Sequence, residues 1–384
     1  MKKLGIYVHI PFCVKKCDYC DFLSYAGKEE YVKGYIEEIK KEIANKLSNI
    51  DYKEYEISTI YMGGGTPSFI DSKYIVDILS QIRKYAKNIL QNVEITIELN
   101  PGTVTKEKLE NYEEAGINRL SIGLQETNNE ILKSIGRIHT YEDFLDTYNL
   151  ARSMGFNNVN VDLMIGLPNQ RIENIKKSLE EIIKLNPEHI SAYSLIIEEK
   201  TLLYRKCGNN EITLPDEELE RNMYWYVKNI LENNGYKHYE ISNFAKEGFE
   251  SKHNLDCWNQ EEYLGFGLGA HSYINRVRYS REIKNGQTPF EANWKNLEVI
   301  IHEVQTEFDM QKEYMLLGLR KINGVSIQNF KNKFGENPIF IFRIELNKLV
   351  EEELIIINGD RIKLTNKGLD LANIVWEEFV WLNF

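Results

Sequence analysis

Hydrophobic and polar positions along the first half of the chain fall into a repeating pattern. Six apolar, β-rich segments recur: KLGIYVHI, ISTIYMG, VEITIEL, NRLSIGL, NVNVDLMIG and HISAYSLII. Between them, residues 27–47, 72–89, 105–115, 126–135, 141–154 and 171–186 carry the three-to-four spacing of a helix face. Strands that read as near-continuous apolar runs, each returned by a helix, predict a parallel sheet covered on its outer face. Six such units predict an α/β fold, either an open doubly wound sheet or a barrel of six strands. In both, the loops at the strand C-termini build the site.

Polar and glycine signals collect at those loops. Cys13 to Cys20 follow the first strand, GGGTPS (63–68) the second, ELNPGT (98–103) the third, Gln125 the fourth and GLP (166–168) the fifth. From about residue 205 the pattern changes. LPDEELERNMYWYVKNILENNGY (214–236) predicts an amphipathic helix, and the stretch after it is rich in Gly, His and aromatics and poor in helical period. Beyond about residue 290 short helices precede ELIIINGDRIKLT, where Asn358-Gly359 predicts a tight hairpin. Three regions are therefore expected: 1–205, a connecting region 206–288, and a small helical, winged-like domain over 289–384.

Composition narrows the classes. A chain of 384 residues with 42% hydrophobic content buries a large core. Lys+Arg number 47 against 58 Asp+Glu, a net charge of -11 that argues against a nucleic-acid surface. The hairpin region agrees: residues 351–365 carry four acidic and two basic side chains, so a DNA-associated regulator using the winged-like domain is the weakest reading. The N-terminal MKKLGIYVHIPFC reads as a strand rather than a cleaved signal, and no run approaches a membrane span. Five cysteines without an even framework, three of them clustered, favour a metal centre under reducing, cytoplasmic conditions.

The cluster is CVKKCDYC, with Cys13, Cys17 and Cys20. Structural zinc wants four ligands, commonly as two separated pairs, and neither Cys207 nor Cys257 belongs to a CxxC. A [4Fe–4S] cluster also takes four ligands; three from protein leave one iron open to a substrate. The triple glycine lets backbone approach a ligand closely, and Thr66 adds a hydroxyl.

CVKKCDYC with GGGTPS in the next βα loop resembles the radical S-adenosylmethionine superfamily. The resemblance implies a six-stranded partial barrel, and a cluster whose unligated iron chelates the cofactor methionine and whose electron cleaves a carbon–sulfur bond. YVHIPFC, GGGTPS, ELNPGT, GINRLSIGLQ, IGRIH, DLMIGLP and HISAYSLIIEEKT are similar to blocks of the oxygen-independent coproporphyrinogen III oxidase-like group, over roughly residues 5–202. By that resemblance Tyr7, Gly64, Gly65, Thr66, Glu98, Gln125, Arg137 and Asp162 line the S-adenosylmethionine pocket. Their chemistry suits such a pocket, since carboxylates accept from hydroxyl or ammonium groups and a guanidinium pairs with a carboxylate. His9 and His139 stand near the cluster loops, as contacts or braces.

Two features separate branches of this group. True oxidases resemble CxxxCxxCxC, whereas Phe22 stands in the last position here. The heme-chaperone branch has an aromatic there, and an HNxxYW segment whose histidine is associated with heme. HNLDCW (253–258) resembles it, between YEISNFA and GFGLGAHSY, with Cys257 in place of the tyrosine. The resemblance makes His253 the first candidate heme-iron ligand, Asn254 an orienting group and Trp258 a stacking face, in a segment read as too irregular for a core helix. His271 is the second candidate and is expected to be packed or hydrogen-bonded near the core.

The expected function is a heme chaperone that binds a [4Fe–4S] cluster, S-adenosylmethionine and heme and passes heme to acceptor hemoproteins, respiratory-chain components among them. The alternative is radical oxidative decarboxylation of coproporphyrinogen III. No nucleic acid is expected; a homodimer and a peripheral membrane contact are compatible with the resemblance.

Overall fold

The computed structural model describes residues 1–283, 290, 294 and 297–380. The chain opens with β1 (Lys2–Ile10), followed by two two-residue strands, β2 (Phe12–Cys13) and β3 (Tyr25–Ala26), which pair in parallel and close the cysteine loop. Five long strands follow: β4 (Tyr55–Gly64), β5 (Ile89–Leu99), β6 (Arg119–Gln125), β7 (Val159–Ile165) and β8 (His189–Ser194). All six predicted segments are strands, and β1, β4, β5, β6, β7 and β8 pair in that order, all parallel.

Helices return the chain between them: α1 (Val32–Ser48), α2 (Ser72–Tyr85), α3 (Lys106–Glu114), α4 (Asn129–Ser134), α5 (Tyr141–Ser153) and α6 (Ile172–Leu185). Their starts are encoded locally. Asp71, Thr105 and Asn128 accept from the first-turn amides of α2, α3 and α4, and Thr140 forms a capping box with Asp143 on α5. One apolar face of each packs on the sheet: Ile75, Ile78, Leu79 and Ile82 of α2 are fully buried, as are Ile175 and Ile182 of α6.

The sheet is larger than six strands. After α7 (Leu202–Gly208) and α8 (Glu217–Asn233), β9 (Lys237–Glu240) and β10 (Asn243–Ala245) extend the β8 edge antiparallel. After α9 (Lys252–Trp258), β11 (Glu262–Phe266) pairs in parallel with β1. The antiparallel strands β12 (His271–Ile274), β13 (Val277–Ile283) and β14 (Leu297–Val304) then complete that edge. The sheet thus runs β14-β13-β12-β11-β1-β4-β5-β6-β7-β8-β10-β9, a linear order whose two end strands do not pair with each other. The stretch expected to be irregular therefore supplies both flanks of the sheet and one helix. Its strands are hard to see in the sequence because they are short, of three to seven residues, and carry polar side chains on one side.

The parallel strands are two-faced rather than uniformly apolar. On β6, Leu120, Ile122 and Leu124 are fully buried against helices, while Arg119, Ser121, Gly123 and Gln125 face a cavity inside the sheet. On β7, Val159, Val161 and Leu163 are in the core, and Asn160 and Asp162 line the cavity. The period-two alternation sets both faces at once.

A second apolar cluster, from Tyr314 to Phe379, forms around α10 (Glu307–Gly318) and the C-terminal helices. It carries the predicted hairpin, Ile355–Asn358 with Arg361–Leu364, turned by Gly359 at φ +56° and Asp360. Among the described residues no helix is long and apolar enough to cross a membrane.

Candidate functional site

The cysteine loop is clamped from several sides. Gly65 N–H donates to Ile10 O at 2.8 Å and Thr66 N–H to Phe12 O at 2.9 Å, fastening the loop to the triple glycine. Asp18 N–H donates to Ile135 O at 3.0 Å, Leu203 N–H to Asp18 O at 2.7 Å, and Lys206 pairs with the Asp18 carboxylate at 2.6 Å. His9 Nε2 bonds Leu23 O at 2.7 Å while its Nδ1 bonds the Tyr7 hydroxyl at 3.0 Å, so His9 braces the loop. His139 does the same for β6 through Leu124 O at 3.2 Å.

Thus held, Cys13, Cys17 and Cys20 are free thiols that line one cavity of about 310 Å³ at the C-terminal ends of the parallel strands. Two sulfurs receive directed hydrogens: Thr66 Oγ1 donates to Cys13 Sγ at 3.4 Å and Arg137 Nη1 to Cys17 Sγ at 3.7 Å. Burial pushes the Cys13 and Cys20 thiols up.

The glycines are required sterically. A Cβ on Gly65 would stand 2.8 Å from Ile10 O and 2.9 Å from Phe12 O, backbone atoms that have nowhere to go. A Cβ on Gly63 would lie 2.8 Å from Glu98 Oε1. Instead the Glu98 carboxylate accepts from Gly64 N–H at 3.1 Å and the Tyr61 hydroxyl at 2.8 Å. Burial, with Asp162 as a second like charge nearby, pushes Glu98 up to about 7. Burial raises Asp162 as well, against the hydrogen bond it accepts from Asn160 Nδ2 at 2.7 Å. Gln125 ends β6 at φ +73°, a strained conformation for its residue type, and accepts from the Tyr193 hydroxyl at 3.0 Å.

Of the expected cofactor residues, Gly64, Gly65, Thr66, Glu98, Gln125, Arg137, Asp162 and Asn254 line the cavity with the cysteines. Tyr7 does not; it stacks behind Tyr61, ring centroids 6.2 Å apart. Tyr61, Arg119, Ser121, Asn160, Ser191, Tyr193 and Asn243 also line it, beyond the set expected from the sequence. The polar members of the alternation in NRLSIGLQ, NVNVDLM and HISAYS are the signal that would have found most of them.

The HNLDCW segment is a regular helix, α9, capped by Ser251, whose Oγ accepts from Asn254 N–H at 3.3 Å. The expectation of an irregular segment is thereby corrected; the cap and the Glu94 carboxylate, which accepts from the amides of Lys252 and His253, stabilise the first turn. His253 is buried, bonds Thr59 Oγ1 through Nδ1 at 2.8 Å and stacks on Tyr61 at 5.1 Å. Burial, then the Arg119 charge, lower its pKa to about 4. Trp258 lies outside the cavity under the Arg320 guanidinium, 4.4 Å from the ring centroid. Cys257 lines a separate cavity of about 210 Å³ with Tyr263, Tyr273 and Arg278, and burial pushes its thiol up to about 12. His271, expected near the core, is exposed and stacks on His302 at 4.9 Å, because β12 leaves that face uncovered.

The donor set fits an iron–sulfur cluster. Three thiols on one clamped loop, a hydroxyl and a guanidinium directed at two of them, and a buried Arg137 Nε that has no hydrogen-bond partner among the described residues surround a space open to a ligand. Among the described residues no three Cys, His, Asp or Glu side chains form a group suited to one metal ion, and a cluster does not require such a group, since each cysteine binds a different iron.

Fold and cavity together define a protein of the radical S-adenosylmethionine class. Residues 7–182 match the Radical SAM superfamily and residues 306–371 the HemN C-terminal domain. The heme chaperone HemW of Bacillus subtilis is 37% identical over 97% of this chain and 98% of its own length; that of Lactococcus lactis is 35% identical over 99% and 98%. The solved coproporphyrinogen III oxidase HemN of Escherichia coli, a radical SAM enzyme, superposes with a TM-score of 0.85 at 22% identity, covering 99% of this chain and 91% of that one, which shows the shared fold. The chain belongs to the HemW family of the radical SAM superfamily.

Proposed function

We propose that this protein is a heme chaperone, binding a [4Fe–4S] cluster through Cys13, Cys17 and Cys20, S-adenosylmethionine in the cavity above them, and heme that it passes to acceptor hemoproteins. The observation that carries the reading is similarity along nearly the whole chain to relatives named heme chaperone HemW. Phe22 supports it: at the position of the oxidase-like fourth cysteine stands a phenyl ring, 69% exposed at the cavity mouth. A hydrocarbon ring there supplies no thiolate and offers an apolar contact.

In this reading Glu98, Gln125, Arg137 and Asp162 hold the cofactor's polar groups, while Gly64, Gly65 and Thr66 present backbone and hydroxyl donors at close approach. A cluster held by Cys13, Cys17 and Cys20 would supply an electron to a cofactor bound in the cavity. Asp162 and Glu98, both raised by burial, accept hydrogen bonds from ligand hydroxyl or ammonium groups, and those bonds favour their charged forms. For heme, His253 would have to give up its Thr59 bond to present Nδ1 to iron; Cys257, one turn on, lines the second cavity with Arg278. Acceptors, dimerisation and a membrane contact belong to the same proposal and rest on family likeness.

The test is anaerobic cluster reconstitution, heme titration, and transfer to an apo-hemoprotein followed by absorption. Transfer faster than free heme uptake supports the chaperone. Multiple turnovers of coproporphyrinogen III, dependent on S-adenosylmethionine and reductant, favour the oxidase reading instead.

A further inference from the structure

The cavity does not end at the cofactor residues. It follows the inward face of β6 from Gln125 down to Arg119 at the strand's start. Its floor stays within electrostatic reach of the cofactor end, since the Arg119 charge acts on both Glu98 and Asp162. The floor differs in chemistry from the mouth. Arg119 is 2% exposed, lines the cavity, and its side chain makes no hydrogen bond or ion pair among the described residues; its Nε is wholly buried without a partner. Asn243 Oδ1 is likewise buried and unpartnered, while its amide Nδ2 is committed to Glu240. Asn254 lines the same floor, and its side chain has no hydrogen-bond partner among the described residues.

Other polar groups near the floor are already spent. Asn160 donates to Ser121 Oγ and to Asp162, and accepts from Ser191 Oγ at 3.1 Å and at 2.6 Å from His189 Nδ1. Tyr61 donates to Glu98. The unsatisfied set therefore reduces to one guanidinium, one amide oxygen and one free carboxamide. Glu98 and Asp162 offset the Arg119 charge through space without meeting its hydrogens, and a buried guanidinium fork left without acceptors is matched geometrically by a carboxylate.

We propose that Arg119, with Asn254 and Asn243, forms a second subsite that binds a small free carboxylic acid as its carboxylate, below the S-adenosylmethionine pocket. Arg119 takes both carboxylate oxygens, Asn254 donates from its amide, and Asn243 Oδ1 accepts a hydroxyl or amine hydrogen of the ligand where one is present. A porphyrin propionate is the other source of the same chemistry. The macrocycle that carries it is too bulky to follow it down a cavity already shared with the cofactor, so the free acid is taken as the occupant and heme competition separates the two sources. The cavity of about 310 Å³, shared with the cofactor, limits the acid to a few carbon atoms.

The experiment uses the full chain, cluster-reconstituted and saturated with S-adenosylmethionine under anaerobic conditions. Thermal unfolding is followed against propionate and against its uncharged isostere propionamide at matched ionic strength. The expected result is a saturable rise in Tm with propionate and none with propionamide. Arg119→Gln should abolish the rise, and Arg119→Lys should shift its midpoint upward by roughly tenfold, since a point charge replaces the fork. Equal responses to propionate and propionamide, or an unchanged propionate response in either variant, overturns the subsite and leaves Arg119 to water. A loss of S-adenosylmethionine affinity in Arg119→Lys with the propionate midpoint unmoved overturns it as well, by assigning the guanidinium to the cofactor. Displacement of propionate by heme, but not by heme dimethyl ester, overturns the free-acid choice in favour of the porphyrin arm. If Arg119→Gln does not fold, the parent's two ligands and Arg119→Lys decide the matter.

Discussion

The cysteine loop and helix α9 both bring iron-ligand residue types to the sheet, yet they hold them in opposite ways. In the loop, backbone amides and carbonyls of Gly65, Thr66, Asp18 and Leu203 do most of the anchoring, so the three sulfurs, two of them accepting long hydrogen bonds, face a cavity. In α9 the side chain itself is committed: His253 spends Nδ1 on Thr59 and its ring face on Tyr61. A ligand-type residue is available for chemistry when its backbone, rather than its functional group, is what the fold grips.

Breaking the loop is expected to have the largest effect. Replacing Cys13, Cys17 or Cys20 by Ala should abolish the reconstituted cluster, read as iron and sulfide content and the loss of its visible absorption. Wild-type iron content in any one variant would mean that another residue substitutes. Gly65→Ala tests the same grip from the other side: a Cβ 2.8 Å from Ile10 O should pry the loop from β1 and cost cluster content while far-UV circular dichroism is kept.

Next comes the cofactor end of the cavity. Asp162→Ala and Glu98→Ala should weaken S-adenosylmethionine binding by roughly tenfold to a hundredfold, about 1.4 to 2.8 kcal/mol, with iron content nearly unchanged. Anaerobic calorimetry reads the affinity; parental values in both variants would remove both carboxylates from the pocket.

Much of this is legible in the sequence, and the boundary of legibility has a physical cause. The six parallel strands and their helices announce themselves because apolar periodicity is dictated by burial on the helix side. The cysteine loop and GGGTPS are legible because three closely spaced cysteines and a triple glycine are uncommon and together match the superfamily pattern. Arg119, Ser121, Asn160 and Ser191 do not stand out as site residues, since isolated polar positions inside apolar strands look like ordinary variation until the inward face is seen to be continuous. The flanking strands escape for another reason: β9 and β10 are four and three residues long, too short for alternation to register. The setting of His253 differs from expectation because a seven-residue helix completes fewer than two full turns beyond its cap, too little for a helical period to show.

His253→Ala sharpens the comparison at α9. It removes a ring packed on Tyr61 and leaves Thr59 Oγ1 unpaired, so it should cost on the order of 2–4 kcal/mol near pH 7.5 in urea unfolding. If α9 opens to let this imidazole reach heme iron, the variant should also lose heme affinity by tenfold or more and shift the absorption bands; unchanged bands would move the ligand assignment to Cys257. The cost should shrink in acid. The folded-state pKa is lowered to about 4, below the ordinary value of 6.5, so the unfolded chain binds the proton first and this histidine's contribution is full above pH 6.5 and lost as pH falls towards 4. The gap between parent and variant should therefore narrow between pH 7 and pH 5; a constant gap would show that the ring titrates normally.

The smallest effect is expected at His271, and its smallness is informative. The ring is exposed on β12 and stacks on His302, whose Nε2 is bonded to Ser280 Oγ at 2.7 Å. An exposed aromatic pair on an outer strand contributes a few tenths of a kcal/mol, so His271→Ala should change unfolding free energy by less than about 0.5 kcal/mol. Because its ring has no hydrogen-bond partner among the described residues while its backbone is held in the β12–β13 ladder, it satisfies the same criterion as the cysteines and differs from them in standing exposed outside their cavity. If His271→Ala nevertheless removed heme binding that His253→Ala preserved, an accessible side chain on a fixed strand would be sufficient without an enclosing pocket, and the exposed face of β12 would become the place where iron is first met.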